Sequence, residues 1–248
     1  MTTKQPPIVE HLIELRQRLI KALVATLIVF AGLAYFANDL YTQIAQPLVE
    51  VLPEGASMIA TDVAAPFFAP FKLAFMLAIV IAFPYILHQV WSFIAPGLYQ
   101  NEKRFAAPIL GSSVLLFYAG IAFAYFVVFP LVFAFFTSVA PDDITIATDI
   151  SSYLSFVLKL FIAFGLAFEV PVVVFILCWS GVTNIESLKL KRPYIVVGAF
   201  VIGMLLTPPD IISQTLLAVP IWLLFELGLI MSLIVNKPSR DNHEQNNA

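Results

Sequence analysis

The sequence predicts an all-α, polytopic membrane protein with six transmembrane helices, both termini cytoplasmic, and short fifth and sixth spans. Three observations carry that reading. Of the 248 residues, 60% are hydrophobic and only 12% charged, and the mean hydropathy is +0.93. A soluble domain carries about twice that share of charge, so a soluble monomer is excluded. Charge-free runs of bilayer length recur along the chain, and the basic residues fall unevenly on the two sides that those runs define. The 17 prolines and ten glycines would break soluble helices, but neighbouring spans tolerate them inside a bilayer.

A hydrocarbon core about 30 Å thick needs about 20 apolar residues per helix. The first such run is Leu19 to Ala37, with Lys21 near enough to its end to snorkel to the headgroups. A first outer loop follows, in which Leu40, Ile44, Leu48 and Val51 recur at helical spacing beside Gln43, Gln46 and Glu50. That pattern predicts an amphipathic interfacial helix ended by Pro53. Phe67, Phe68, Phe71 and Phe75, around Pro66 and Pro70, are expected to form a capping layer over the bundle. The second span, Leu73 to Leu98, contains no Asp, Glu, Lys or Arg. Phe105 to Ala140 is uncharged for 36 positions, too long for one straight crossing, with Pro130 as the expected kink. The fourth span, Leu160 to Cys178, is interrupted by Glu169, and the sixth, Ile211 to Val235, by Glu226. The fifth, Pro193 to Leu206, has 14 residues, a rise of about 21 Å and less than the bilayer thickness.

Basic residues near span ends set orientation. Lys4, Arg16, Arg18, Lys21, Lys103, Arg104, Lys189, Lys191, Arg192, Lys237 and Arg240 share one side, against Lys72 and Lys159 on the other, a split of 11 to 2. Both termini are therefore expected in the cytoplasm, with the loops 38–71 and 138–155 outside. The first apolar run is long for a signal peptide and shows no clear cleavage site, so it is expected to stay as a span. Residues 1–235 read as one transmembrane domain and 236–248 as a disordered cytoplasmic tail.

Enzymatic readings find little support. His11, His88 and His243 are too far apart in the topology to pair on a metal, and neither His-Glu-x-x-His nor Gly-x-Ser-x-Gly occurs. The single cysteine, Cys178, lies in an apolar run, and the formal net charge of −3 gives no support to nucleic-acid binding. No cofactor is expected. Glu169 is the deeper of the two carboxylates inside spans, and an ionisable group there is a functional candidate because burying it costs several kcal/mol unless it is paired or protonated. Pro171, two residues on, frees a backbone carbonyl beside it. Glu226 lies nearer the cytoplasmic end and reads as structural. Thr207, Asp210 and Gln214 gather around Pro208-Pro209, where they would either satisfy the turn or bond a partner span.

On the cytoplasmic side Glu10 and Glu14 share one face of an amphipathic segment, and Glu102 projects from the loop after the second span. Two readings stay open on residues alone. Glu14 with Arg18, and Glu102 with Lys103 or Arg104, would be surface ion pairs worth at most about 1 kcal/mol. Alternatively, each carboxylate would take an incoming guanidinium in a bidentate fork that lysine cannot reproduce.

The stretches His11-Leu-Ile-Glu-Leu-Arg16, Phe93-Ile-Ala-Pro-Gly-Leu-Tyr99 with Glu102, Ser152-Tyr-Leu-Ser-Phe156, Phe168-Glu-Val-Pro171 and Gly203-Met-Leu-Leu-Thr-Pro-Pro-Asp210 closely resemble the TatC family. Members of that family are the multispanning subunits of twin-arginine protein translocases, and the match runs over about residues 8 to 235. The resemblance implies export of folded proteins across the cytoplasmic (inner) membrane, driven by the proton-motive force, after receipt of signal peptides bearing consecutive arginines. It places Glu14 and Glu102 on the arginine pair, with Arg16, Phe93, Leu98 and Tyr99 shaping the site. It also implies the single-span partners TatA and TatB, the latter near Met204, Thr207 and Gln214, together with membrane lipid and self-association in the receptor complex. The alternative, a proton-coupled secondary transporter working through Glu169, lacks the paired broken helices or repeats such folds show.

Overall fold

The computed structural model describes residues 7–42, 59–94, 103–139, 149–207 and 211–235. These are helical almost throughout, and extended pairing among them is confined to an isolated parallel bridge between Ile59 and Asp149. Among the described residues, five helical segments are long and apolar enough to cross a membrane, and a further apolar helix, Arg192–Leu206, is shorter.

Each predicted span has a helix, with bounds that chemistry adjusts. Helix α1, Pro7–Ala34, begins well before the expected start at Leu19. No proline interrupts the amphipathic segment, and the Glu14–Arg18 pair at i, i+4 supports the extra turns. It ends before Ala37, at a turn over 35–36, after which residues 37–42 are helical again. The remainder of the predicted interfacial helix and Pro53 lie outside the described residues. Helix α2, Ala65–Ile94, absorbs Pro66 and Pro70. Its first turns correct the expected capping layer, since Phe67 and Phe68 are 63% and 62% exposed.

The long third run is resolved by helix type. Helix α3, Lys103–Phe123, passes through a π-helical turn, Ala124–Val128, into α4, Phe129–Val139. The π turn abuts Pro130, whose missing N–H and bulky ring cannot continue a regular ladder. The Phe129 N–H reaches back to the Ala124 carbonyl instead. Helices α5, Ile150–Ala167, and α6, Val170–Trp179, divide the fourth run at Phe168-Glu169. Pro171 cannot donate to the Ala167 carbonyl, so the ladder stops there. A six-residue helix, α7 (Ile185–Leu190), precedes α8, Arg192–Leu206, whose 15 residues rise about 22 Å. The expectation of a short sixth span is overturned. Helix α9, Ile211–Val235, has 25 residues, because its apolar run is broken only by Glu226 and the helix accommodates Pro220.

The chain divides into two compact units, Met1–Leu115 with Phe136–Phe161, and Leu116–Phe135 with Ile162–Ala248. In the first, α1 and α2 lie antiparallel. His11 stacks on Phe93 at one end, while Phe30 meets Phe75 edge-on, ring centres 5.6 Å apart, at the other. Small side chains line α2, with Ala74 and Ala78 fully buried, as close helix packing in lipid requires. Ala69 and Leu73 of α2 pack with Leu154 and Leu158 of α5, and Tyr41 closes that cluster.

In the second unit Val174 and Cys178 of α6, Ile185 and Leu188 of α7, and Phe225 and Leu229 of α9 form one buried cluster. Ala167, Ala199, Ala218 and Ile221 form another that holds α8 to α9. Gly120 of α3 permits a close crossing with α5. A Cβ there would lie 2.5 Å from the Phe164 carbonyl oxygen.

Candidate functional site

On the first turns of α1, His11, Glu14 and Arg18 follow one another at i, i+3 and i+7, so they share a helix face. Arg18 donates from Nη2 and Nε to Glu14 Oε1 at 2.5 and 3.0 Å. The surface-pair reading of Glu14 is therefore realised in this structure, with the two side chains about a quarter to a third exposed. Arg16 points elsewhere and is exposed. The imidazole of His11 stacks on Phe93 with ring centres 4.2 Å apart and planes 22° from parallel. That contact brings the Glu14 face of α1 to the last turn of α2. Phe93 itself stays partly exposed. Leu98, Tyr99 and Glu102, and the side chains of Lys103 and Arg104, lie outside the described residues, as does the side chain of Glu10.

Glu169 sits at the break between α5 and α6 as the residue preceding α6. Its carbonyl accepts from the Val173 N–H at 2.9 Å and its N–H donates to Leu166 at 3.1 Å. The break that Pro171 imposes thus places this carboxylate where the helix ladder is interrupted, and its side chain is partly buried.

Near the C-terminal end of α8, Met204 is 50% exposed. Thr207 is buried, and its hydroxyl donates to the Gly203 carbonyl of its own helix at 3.0 Å. Gly203 lets α9 approach closely, since a Cβ there would meet the Gln214 carbonyl oxygen at 3.3 Å. Thr207 and Gln214 thereby shape the α8–α9 junction, whereas Met204 presents its side chain outward.

Several polar contacts join residues too distant in sequence to be paired from it. Arg192 donates to Glu226 Oε2 at 2.6 Å, tying the start of α8 to α9 and giving Glu226 its structural role. Asp149 caps α5, accepting from the Ser152 N–H and hydroxyl at 2.9 and 2.8 Å. It also takes the Thr61 N–H and hydroxyl at 3.1 and 2.9 Å. These donors, Ser152 first, hold its carboxyl well below the usual carboxylate range. Lys72 donates to Ser155 Oγ at 2.5 Å in the same unit. The sequence signal for the cap was present, an Asp three positions before a Ser at the head of an apolar run; nothing in the sequence pointed to Thr61. Among the described residues no three His, Cys, Asp or Glu side chains converge as a metal site.

A family model described as Sec-independent protein translocase protein (TatC) matches residues 10–220. The chain belongs to the TatC family. Among its relatives is a Sec-independent protein translocase protein TatC of Haemophilus influenzae, 56% identical over 97% of this chain and 94% of the relative. The TatC of Escherichia coli strain K12 is 55% identical over 96% of this chain and 92% of its own length. A crystal structure of the twin arginine translocase receptor TatC matches with a TM-score of 0.82 and 40% identity, covering 90% of this chain and 98% of that one. TatC membership and the apolar helices together make this a multi-pass membrane protein of a protein-transport system. The secondary-transporter alternative is not favoured. Glu14, Phe93, Glu102, Glu169, Met204, Thr207 and Gln214 all fall inside the matched segment.

Proposed function

We propose that this chain is the signal-peptide receptor and core subunit of a twin-arginine translocase. It exports folded proteins across the cytoplasmic membrane on the proton-motive force and catalyses no covalent chemistry. The family match supports that reading. The observation that gives it a mechanism is the partly exposed carboxylate of Glu14, on the helix face whose His11 stacks on Phe93 at the end of α2.

Arg18 already occupies Glu14, so recognition is an exchange of one guanidinium for another. The resident contact is a partly exposed i, i+4 pair worth at most about 1 kcal/mol, and it falls on a single oxygen, Oε1. An arriving guanidinium that forks across both oxygens gains charge-assisted bonds of roughly 1.5 to 3 kcal/mol. The exchange is therefore downhill for arginine, and uphill or neutral for lysine, whose ammonium cannot fork. Glu102 takes the second arginine in this reading, with Arg16, Phe93, Leu98 and Tyr99 shaping the surroundings. Met204, with Thr207 and Gln214 setting the junction behind it, receives the single-span partner TatB, and TatA joins the same complex. The short α8 thins the bilayer beside it, which favours insertion of a signal hairpin.

The test is binding of a twin-arginine signal peptide to the protein in nanodiscs. Glu14→Ala and Glu102→Ala should each weaken binding about tenfold to a hundredfold while the protein remains folded, and a twin-lysine peptide should bind poorly to the unaltered protein. Unchanged affinity in the double variant would overturn the assignment.

A further inference from the structure

We infer that His11 is a positioning residue of the recognition site, holding the Glu14 face of α1 against the last turn of α2 through its stack on Phe93. The inference rests on the receptor reading above and concerns how the site keeps its shape. Helix α1 lies along α2 but buries few side chains there. Leu12, Leu15, Leu19 and Leu23 are all more than 40% exposed, and its buried side chains include the small Ala22 and Thr26. Its first turns therefore have little core to fix their rotation about the helix axis.

Against that background the ring contact at 4.2 Å and 22° is a specific cross-helix restraint at this end. It acts one helical turn from Glu14. Because side chains at i and i+3 lie on the same face, fixing the His11 ring fixes the direction in which the Glu14 carboxylate leaves the helix. A bidentate fork tolerates little angular error, so its strength depends on that direction, whereas a point-charge contact is much less sensitive.

The experiment measures affinities of a twin-arginine signal peptide and its twin-lysine counterpart for the full-length protein in nanodiscs. The variants are His11→Ala, His11→Leu, His11→Phe and Glu14→Ala, with His11→Ala repeated in a Phe93→Ala background. His11→Ala and His11→Leu should weaken the arginine peptide by about threefold to tenfold, the size expected for losing an aromatic pair. They should also narrow the preference for arginine over lysine. His11→Phe keeps the stack and should bind within about twofold of the original protein. In the Phe93→Ala background His11→Ala should add nothing further. A fall in the amount of folded protein would lower the number of sites without changing the arginine-to-lysine ratio. If Glu14→Ala weakens binding but His11→Ala does not, or if His11→Phe is as weak as His11→Ala, the positioning role is wrong and the receptor reading survives. If Glu14→Ala changes nothing, Glu14 is not an arginine acceptor and there is no carboxylate for His11 to position, so the assignment and the positioning role fall together.

Discussion

Asp149 shows what a single exposed carboxylate does when four donors converge on it. Its hydrogen bonds join the head of α5 to Thr61, 88 positions away in sequence. The bonds favour the ionised form, so its pKa in the folded protein lies below that of the unfolded chain. The stabilisation is fully present above the unfolded value of about 3.9 and is lost as pH falls through the lower folded value. Hydrogen exchange at the Thr61 and Ser152 amides should therefore keep its protection from pH 7 down to about pH 4, and Asp149→Ala should remove that protection at every pH. Protection that disappears between pH 6 and 5 would contradict the cap. At this scale legibility followed sequence distance. The Glu14–Arg18 pair was read from i, i+4 spacing; the Asp149 cap was missed, although its offset to Ser152 carried a signal for it. The Thr61 bond, the Arg192–Glu226 pair and the His11–Phe93 stack were not readable, because each depends on which helices become neighbours.

Apolar runs found the helices of every span, since bilayer thickness and backbone hydrogen bonding leave little choice, but the first, second and fourth begin roughly two to three turns earlier than the runs suggested, at Pro7, Ala65 and Ile150. The sequence was less informative inside the long runs. Pro130 was expected to kink the third span, and the chain meets it with a π turn over Ala124–Val128. Pro171 was expected to release a carbonyl, and the ladder stops at Phe168-Glu169. The sixth span was misjudged in length, although its bounds, 211–235, were readable from the apolar run. Helix crossings were not readable, because they depend on glycines meeting particular neighbours. Gly120→Ala would force a methyl to 2.5 Å from the Phe164 carbonyl oxygen and 3.0 Å from Phe168 Cβ. The first of these atoms is backbone and cannot swing away. The substitution should destabilise the protein by about 1 to 3 kcal/mol, as overpacking does, seen as a lower Tm in detergent. Gly32→Ala meets nothing within 4 Å and should leave the Tm nearly unchanged. Equal effects at the two positions would refute the close crossing.

Orientation is a property of the whole chain, and the sequence argues for it through charge, which is expensive to move across a bilayer. Eleven of the 13 basic residues lie on the side assigned to the cytoplasm, a bias that retains positive loops during insertion. The assignment also decides whether the proposed arginine acceptors are reachable, since a signal peptide arrives from the cytoplasm and Glu14 and Glu102 must face it. Cys178 is the single native cysteine and is only 7% exposed. Replacing it by alanine removes one buried sulfur and gives a background in which introduced cysteines report alone. In that background, cysteines at Ser57 and at Asp143 should react with a membrane-impermeant thiol reagent added to intact cells. A cysteine at Asn101, next to Glu102, should react only after the cells are opened. The three positions test separate loops, so an error in counting spans would show as a reversal at one of them. Labelling of the Asn101 position in intact cells would put Glu102 on the outer face. That result would remove the second arginine acceptor from the side on which signal peptides are presented, whatever the affinity of Glu14 proved to be.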